Sequence, residues 1–247
     1  MKIKYPTRFE VCHSERNVLN YSGQKNKDLI KEKLTKVSNG YCMYCGNLLV
    51  VNNKNMGHLE HTIEKKQNTI EIKYLKHCKY NISIACPVCN TSLKKNMQQI
   101  SIDNLGYWTD NCNQPCSTYI TNCEVYKKLN NIILLPGGSR NGADTCYLEI
   151  DYNLLRLRYE PKLNHDYSDE DKMIIDNHIS KFMMNSEKYM PIDILLVCEF
   201  VVKYLDIPDE KYNNNVIADI FINKLRGYDD FDNVLKLCRL ILIMSAL

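Results

Sequence analysis

Two Cys-x-x-Cys pairs, Cys42–Cys45 in "YCMYCG" and Cys86–Cys89 in "CPVCN", constrain this chain more than any other feature. Each pair can offer two thiolates to one tetrahedral ion, and four sulfurs close the coordination sphere of zinc. A closed sphere leaves no position for a substrate, so the expected role is structural. It would pin residues 41–46 against residues 86–90. An iron–sulfur cluster is the other use of four thiolates, and four merely buried thiols would not need the pairing. The chain holds 12 cysteines and opens on "MKIKYPTRFEV", which contains no apolar signal segment. A disulfide framework is therefore disfavoured, and a cytoplasmic location is expected.

The chain has 247 residues and a formal net charge of +3. That length supports a genuine core and an ordinary apolar content argues against wholesale disorder. The charge permits contact with nucleic acid but does not by itself call for it; a local basic face would have to supply the affinity. The longest apolar run, the terminal "LILIMSAL", is too short to span a bilayer, so no membrane partner is expected.

Periodicity divides the chain. Residues 25–37 place Leu29, Ile30, Leu34 and Val37 on one helical stripe, which Asn39-Gly40 ends. The residues before that helix read as irregular or briefly extended. "LLVV" at 48–51 reads as a strand, "NNKN" at 52–55 as a turn and "GHLEHTI" as a second strand. A helix can start after Cys89. Further on, "TCYLEI" and "LLRLRYE" alternate apolar and polar residues across a "DYN" turn, as a hairpin does. The remainder reads as helices: from a capping box at Ser168 and Asp171 to about 185, from Pro191 to about 205, near 214–226 closed by Gly227, and over 230–246.

Between the knuckles, "GHLEHTIEKK" packs His58, Glu60 and His61 together, and "YNISIACPVCN" follows with Asn81 and Asn90, then "SLKK". In this order the residues resemble the HNH nuclease family. Its pattern is a CxxC knuckle, an acidic residue followed by histidine, a downstream asparagine, and a second knuckle followed directly by His or Asn and a nearby Lys. The match covers about 60 residues of the chain. It implies an α+β fold: a ββα-metal core with a structural zinc, embedded in a mostly helical chain. The expected segments are an N-terminal extension and helix over 1–40, the zinc-framed nuclease core over 41–98, a loop and strand segment with extra cysteines over 99–165, and a helical region over 166–247.

The resemblance also implies roles. His61 matches the general base that activates water, Glu60 the acidic metal ligand before it, Asn81 the residue that orients the histidine, and Asn90 the second metal ligand. The chemistry stands beside the likeness. A neutral imidazole can take a proton from water near pH 7. Glu60 and Asn90 offer oxygens, which suit a catalytic Mg²⁺ or Mn²⁺ better than zinc. DNA is the implied substrate.

Each reading has a plain rival. Adjacent Glu60 and His61 point to opposite faces of an ideal strand, so joint action needs the strand to bend or end there. Asn81 could be a turn residue and Asn90 a helix N-cap. His58 matches no core family position and stands as a further candidate for the divalent ion. Lys65, Lys66, Lys94 and Lys95 could hold phosphates or form a solvated face. Cys112, Cys116 and Cys123, with Cys146, Cys78 or His77, could form a second metal site, whereas Cys12, Cys198 and Cys238 read as core thiols. Trp108 reads as packing.

A weaker likeness reaches further. "HxEHxxxK", "NNIILLP", "YLEID" and the helical tail resemble the HNH subunits of Septu and retron-associated anti-phage systems, which act with a partner ATPase. It implies a partner surface on 166–247 that includes residues such as Leu195, Leu196, Phe200 and Val201, unless these form the helical core. The alternatives from other classes are a non-catalytic zinc-ribbon binding module and a stand-alone restriction or homing enzyme.

Overall fold

The computed structural model describes residues 1–7, 9, 21–62, 64, 66–67, 70–71, 81–94, 133–134, 148–163, 167–186, 192–209 and 214–246. In chain order its elements are β1 (Lys2–Tyr5), α1 (Gln24–Val37), β2 (Val50–Val51), β3 (Lys54–Asn55), β4 (His58–His61), β5 (Lys66–Gln67), β6 (Ile70–Glu71), β7 (Ile82–Ala85) and a π-helical turn (Cys89–Leu93). They continue with β8 (Ile150–Asn153), β9 (Arg158–Pro161), α2 (Asp169–Lys181), α3 (Ile192–Tyr204), α4 (Val216–Arg226) and α5 (Phe231–Ser245). The fold is mixed α+β, with small antiparallel sheets and a helical C-terminal part.

The opening residues are briefly extended, one of the two readings the sequence allowed, and form the four-residue strand β1. β1 pairs with β8, which pairs with β9, giving the sheet order β1-β8-β9. Ile3 and Tyr5 point into the core, while Lys2 reaches Glu160 at 2.5 Å and Lys4 pairs with Glu149. This partner strand is distant in the chain, so four residues of alternation were too short a signal to name it. The predicted hairpin is present, but its turn falls at Leu154–Leu157, later than "DYN". Asn153 stays in the strand, and its Oδ1 accepts the N–H groups of Leu155 and Arg156 at 3.1 and 3.3 Å, an Asx turn.

The stripe of α1 packs as read: Ile30 and Leu34 are buried, with Leu29 and Val37 against the same cluster. Asn39 and Gly40 then take φ of 52° and 79°, which ends the helix. The next strand is shorter than predicted, and the turn is tighter. Asn52 and Asn53, with φ of 50° and 62°, make the two-residue loop of the β2–β3 hairpin, so Lys54 and Asn55 are strand and not turn.

The C-terminal helices start where their caps lie. Ser168 and Asp171 complete both halves of a capping box, although α2 stops at Lys181, short of 185. Asn215 and Asp230 cap α4 and α5. Cys198 on α3 and Cys238 on α5 are core thiols, as read; Cys12 lies outside the described residues. Val201 is buried and Leu195 half-buried, whereas Leu196 is exposed. Among the described residues no helix is long and apolar enough to cross a membrane.

Candidate metal centre and the adjoining polar site

The two knuckles meet because β7 carries the second one to the first. Met43 donates its N–H to Ile84 O at 3.0 Å, which lays the Cys42–Cys45 turn against β7, and Cys86 follows directly after the strand. The first turn closes on Gly46, with φ of 75° and its N–H on Cys42 O at 2.9 Å. A side chain there would meet Val216 Cγ1 at 2.6 Å as well, so conformation and space both require glycine. In the second knuckle, Cys89 N–H donates to Cys86 Sγ at 3.4 Å and Asn90 N–H to Cys86 O at 3.0 Å.

The result is a compact sulfur cluster. The Sγ atoms of Cys42, Cys45, Cys86 and Cys89 lie within 4.8 Å of one another, all four residues buried, and Cys45 and Cys86 are 3.8 Å apart. Tetrahedral zinc with Zn–S bonds of about 2.3 Å has S···S edges of about 3.8 Å. Donor type, number and spacing therefore fit a structural metal such as zinc. Hydrogen bonds with Cys42, Cys45 and Cys89 hold the Cys86 thiol far below its ordinary range, and those with Cys42, Cys45 and Cys86 push Cys89 far above it. A dication at the centre would allow all four to ionise.

The C-terminal helices grip the first knuckle. The Asn215 side chain donates to Cys45 O at 3.2 Å and to Asn47 Oδ1 at 3.0 Å, while its own Oδ1 accepts from Ile217 N–H at 3.0 Å and from the Tyr159 hydroxyl at 3.4 Å. A buried His178 on α2 meets Tyr44 O through Nε2 at 3.0 Å. Neither residue stood out in the sequence. The "NNN" run before α4 signals a cap, but nothing in it names Cys45 as the partner.

Beside the sulfurs lies a polar site. β4 and β7 pair antiparallel in the register His58↔Ala85, Leu59↔Ile84, Glu60↔Ser83 and His61↔Ile82, and the segment from Pro87 through Leu93 winds back over them. His58 and Glu60 alternate onto one face of β4. Asn90 and Lys94, four residues apart on the turn, reach them in sequence: the Asn90 amide lies 3.1 Å from His58 Nδ1, and Lys94 Nζ binds the Glu60 carboxylate and the His61 carbonyl. Glu64 is 3.8 Å from the same amine, and the Tyr44 ring lies 5.5 Å from it.

Lys94 corrects two expectations. It neither faces solvent nor is free for phosphate; its side chain has no exposure at all. Asn90 is likewise no N-cap. It sits inside the helical segment, which already begins at Pro87, and its side chain turns to His58. The remaining site residues lie close by. His61, the last residue of β4, is buried edge-on to Tyr21 with ring centroids 5.2 Å apart. Asn81 is fully buried next to Ile82, the partner of His61, and accepts Thr62 N–H at 2.7 Å through its carbonyl. Burial, together with the Glu60 charge, raises the hydroxyl pKa of both Tyr21 and Tyr44. The Cys112, Cys116 and Cys123 group, with Cys78, Cys146 and His77, lies outside the described residues, as do Trp108 and the side chains of Lys65, Lys66 and Lys95.

Compared with protein-family models, curated proteins and solved structures, the chain matches none.

Proposed function

We propose that this chain is a metal-dependent endonuclease of the HNH kind that hydrolyses DNA phosphodiester bonds. The observation that carries the reading is the antiparallel β4–β7 pair followed directly by the Cys86–Lys94 segment, with Asn90 on His58 and Lys94 on Glu60. A strand pair and a helical turn, framed by four thiols, bring imidazole, carboxylate and amide into one small region.

In this reading the His61 imidazole, the base that the family likeness implies, removes a proton from the attacking water; its ring is buried against Tyr21, so the step requires Tyr21 to move aside and admit that water. Asn81, packed at the same end of the strand pair, holds that end of β4 in place through its carbonyl on Thr62 N–H. A divalent ion would neutralise the phosphate and the leaving oxygen; Glu60 and Asn90 are the ligands the family likeness implies. The cysteine cluster supplies no chemistry and fixes the distance between β7 and the turn.

The test is supercoiled plasmid with Mg²⁺ or Mn²⁺ and the purified chain. Nicked and linear product, lost with EDTA and in His61→Ala, supports the reading. Intact plasmid, with the anti-phage-type ATPase partner present as well as absent, removes it. A non-catalytic zinc-ribbon binding module is then the better account, and one observation favours it: the Glu60 charge is already neutralised by Lys94.

A further inference from the structure

Two residues of the segment after Cys89, Asn90 and Lys94, reach across to β4, and their contacts differ in kind. At the buried end, Lys94 with no exposure takes the Glu60 carboxylate. At the open end, exposed His58 meets half-buried Asn90 at 3.1 Å. A divalent ion arriving with its waters needs a solvent path and ligands not already claimed by a cation. Glu60 meets neither condition, while His58 and Asn90 meet both.

The spacing is also right. Neighbouring ligands of an octahedral ion with bonds of about 2.1 Å are about 3.0 Å apart. The Asn90 amide group stands 3.1 Å from His58 Nδ1, so a half-turn of the amide presents its oxygen beside the ring nitrogen. The turn that carries Asn90 is π-helical, with Lys94 N–H bonded back to Cys89 O at 3.1 Å. Such turns are rare and concentrate at functional sites.

We propose that His58 and Asn90 form the cation-binding end of the site, and that Lys94 keeps Glu60 out of the coordination sphere. The imidazole nitrogen favours a first-row transition ion over Mg²⁺ or Ca²⁺, and the amide oxygen suits the harder ions; Mn²⁺, the most weakly held of the transition series, is the probe that does not compete with the thiolates for zinc. Glu60 then acts at one remove, as the counter-charge that fixes Lys94 and the end of β4. This assignment rests on reading the region as a divalent-ion site, and it replaces Glu60 with His58 as the partner of Asn90.

The experiment is a Mn²⁺ titration of the zinc-containing protein, followed by the electron paramagnetic resonance signal of free Mn²⁺. One Mn²⁺ should bind beyond the zinc. His58→Ala and Asn90→Ala should each weaken it at least tenfold, with zinc content and melting temperature unchanged. Glu60→Gln/Lys94→Met, which removes both charges of the buried pair, should stay within threefold of wild type; if that protein does not fold, the volume-conserving Glu60→Met/Lys94→Met is read in its place. Loss of Mn²⁺ on changing Glu60, with His58→Ala unaffected, puts the ion on the carboxylate. That overturns the assignment and leaves the endonuclease reading standing. A wild-type protein that takes up no Mn²⁺ also overturns it, and the plasmid assay then decides the endonuclease reading alone.

Discussion

Lys94 Nζ donates to the Glu60 carboxylate and to the carbonyl of His61 from a side chain that reaches no solvent. One amine thus ties the end of β4 to the turn after the second knuckle. Removing one partner of such a pair leaves a charge buried without compensation. Lys94→Met should lower stability by about 3–5 kcal/mol in urea denaturation. Glu60→Gln/Lys94→Met should recover much of that loss. Equal midpoints for wild type and Lys94→Met would mean the pair is solvated in solution.

The cysteine cluster should hold one zinc per chain. Elemental analysis of Cys42→Ser or Cys89→Ser should show that zinc lost, together with a lower melting temperature, because metal binding and folding are coupled in sites of this type. Uptake releases protons from the thiols, so zinc retention should fall as pH is lowered. A ratio near two zincs would bring Cys112, Cys116 and Cys123 forward as a second site.

Asn215 joins the first knuckle, β9 and the start of α4 through one buried amide. Asn215→Ala removes a helix cap and leaves Cys45 O and Asn47 short of a donor. The cost should be about 1–3 kcal/mol. Zinc release to a chelator should also quicken, since the knuckle loses its outer brace. Unchanged release kinetics in a destabilised protein would separate the brace from the metal.

His61→Ala should lower plasmid cleavage by about 10²–10⁴-fold while zinc content is retained, as expected for loss of a general base. Added Mn²⁺ should not rescue it. Asn90→Ala should also cleave poorly but recover in part at high Mn²⁺, because it weakens ion binding and leaves the base in place. Full activity in a well-folded His61→Ala protein would remove His61 from the chemistry.

Local signals were read well where the cause is local. The α1 stripe, the stop at Asn39-Gly40 and the Ser168–Asp171 box depend on neighbours within one or two turns, so the chain states them directly. The four cysteines were also legible, since two-residue spacing within each pair is what a knuckle needs, and β7 carries the second pair to the first. Strand partners were harder. β1 pairs with β8 across most of the chain, and the "DYN" turn moved on because Asn153 found an Asx turn one step later.

The site divides along the same line. By itself the sequence determined which groups are available near the knuckles: His58, Glu60, His61, Asn81, Asn90 and Lys94. Only the tertiary structure decided who faces whom. Period-2 alternation put His58 with Glu60 and turned His61 toward Tyr21, and the turn after Cys89 set Asn90 on His58 and Lys94 on Glu60. A buried lysine and a surface lysine are the same letter in a sequence. What separates them is whether a carboxylate, a carbonyl and an aromatic ring converge on the amine, and that depends on residues brought together from both sides of the β4–β7 pair.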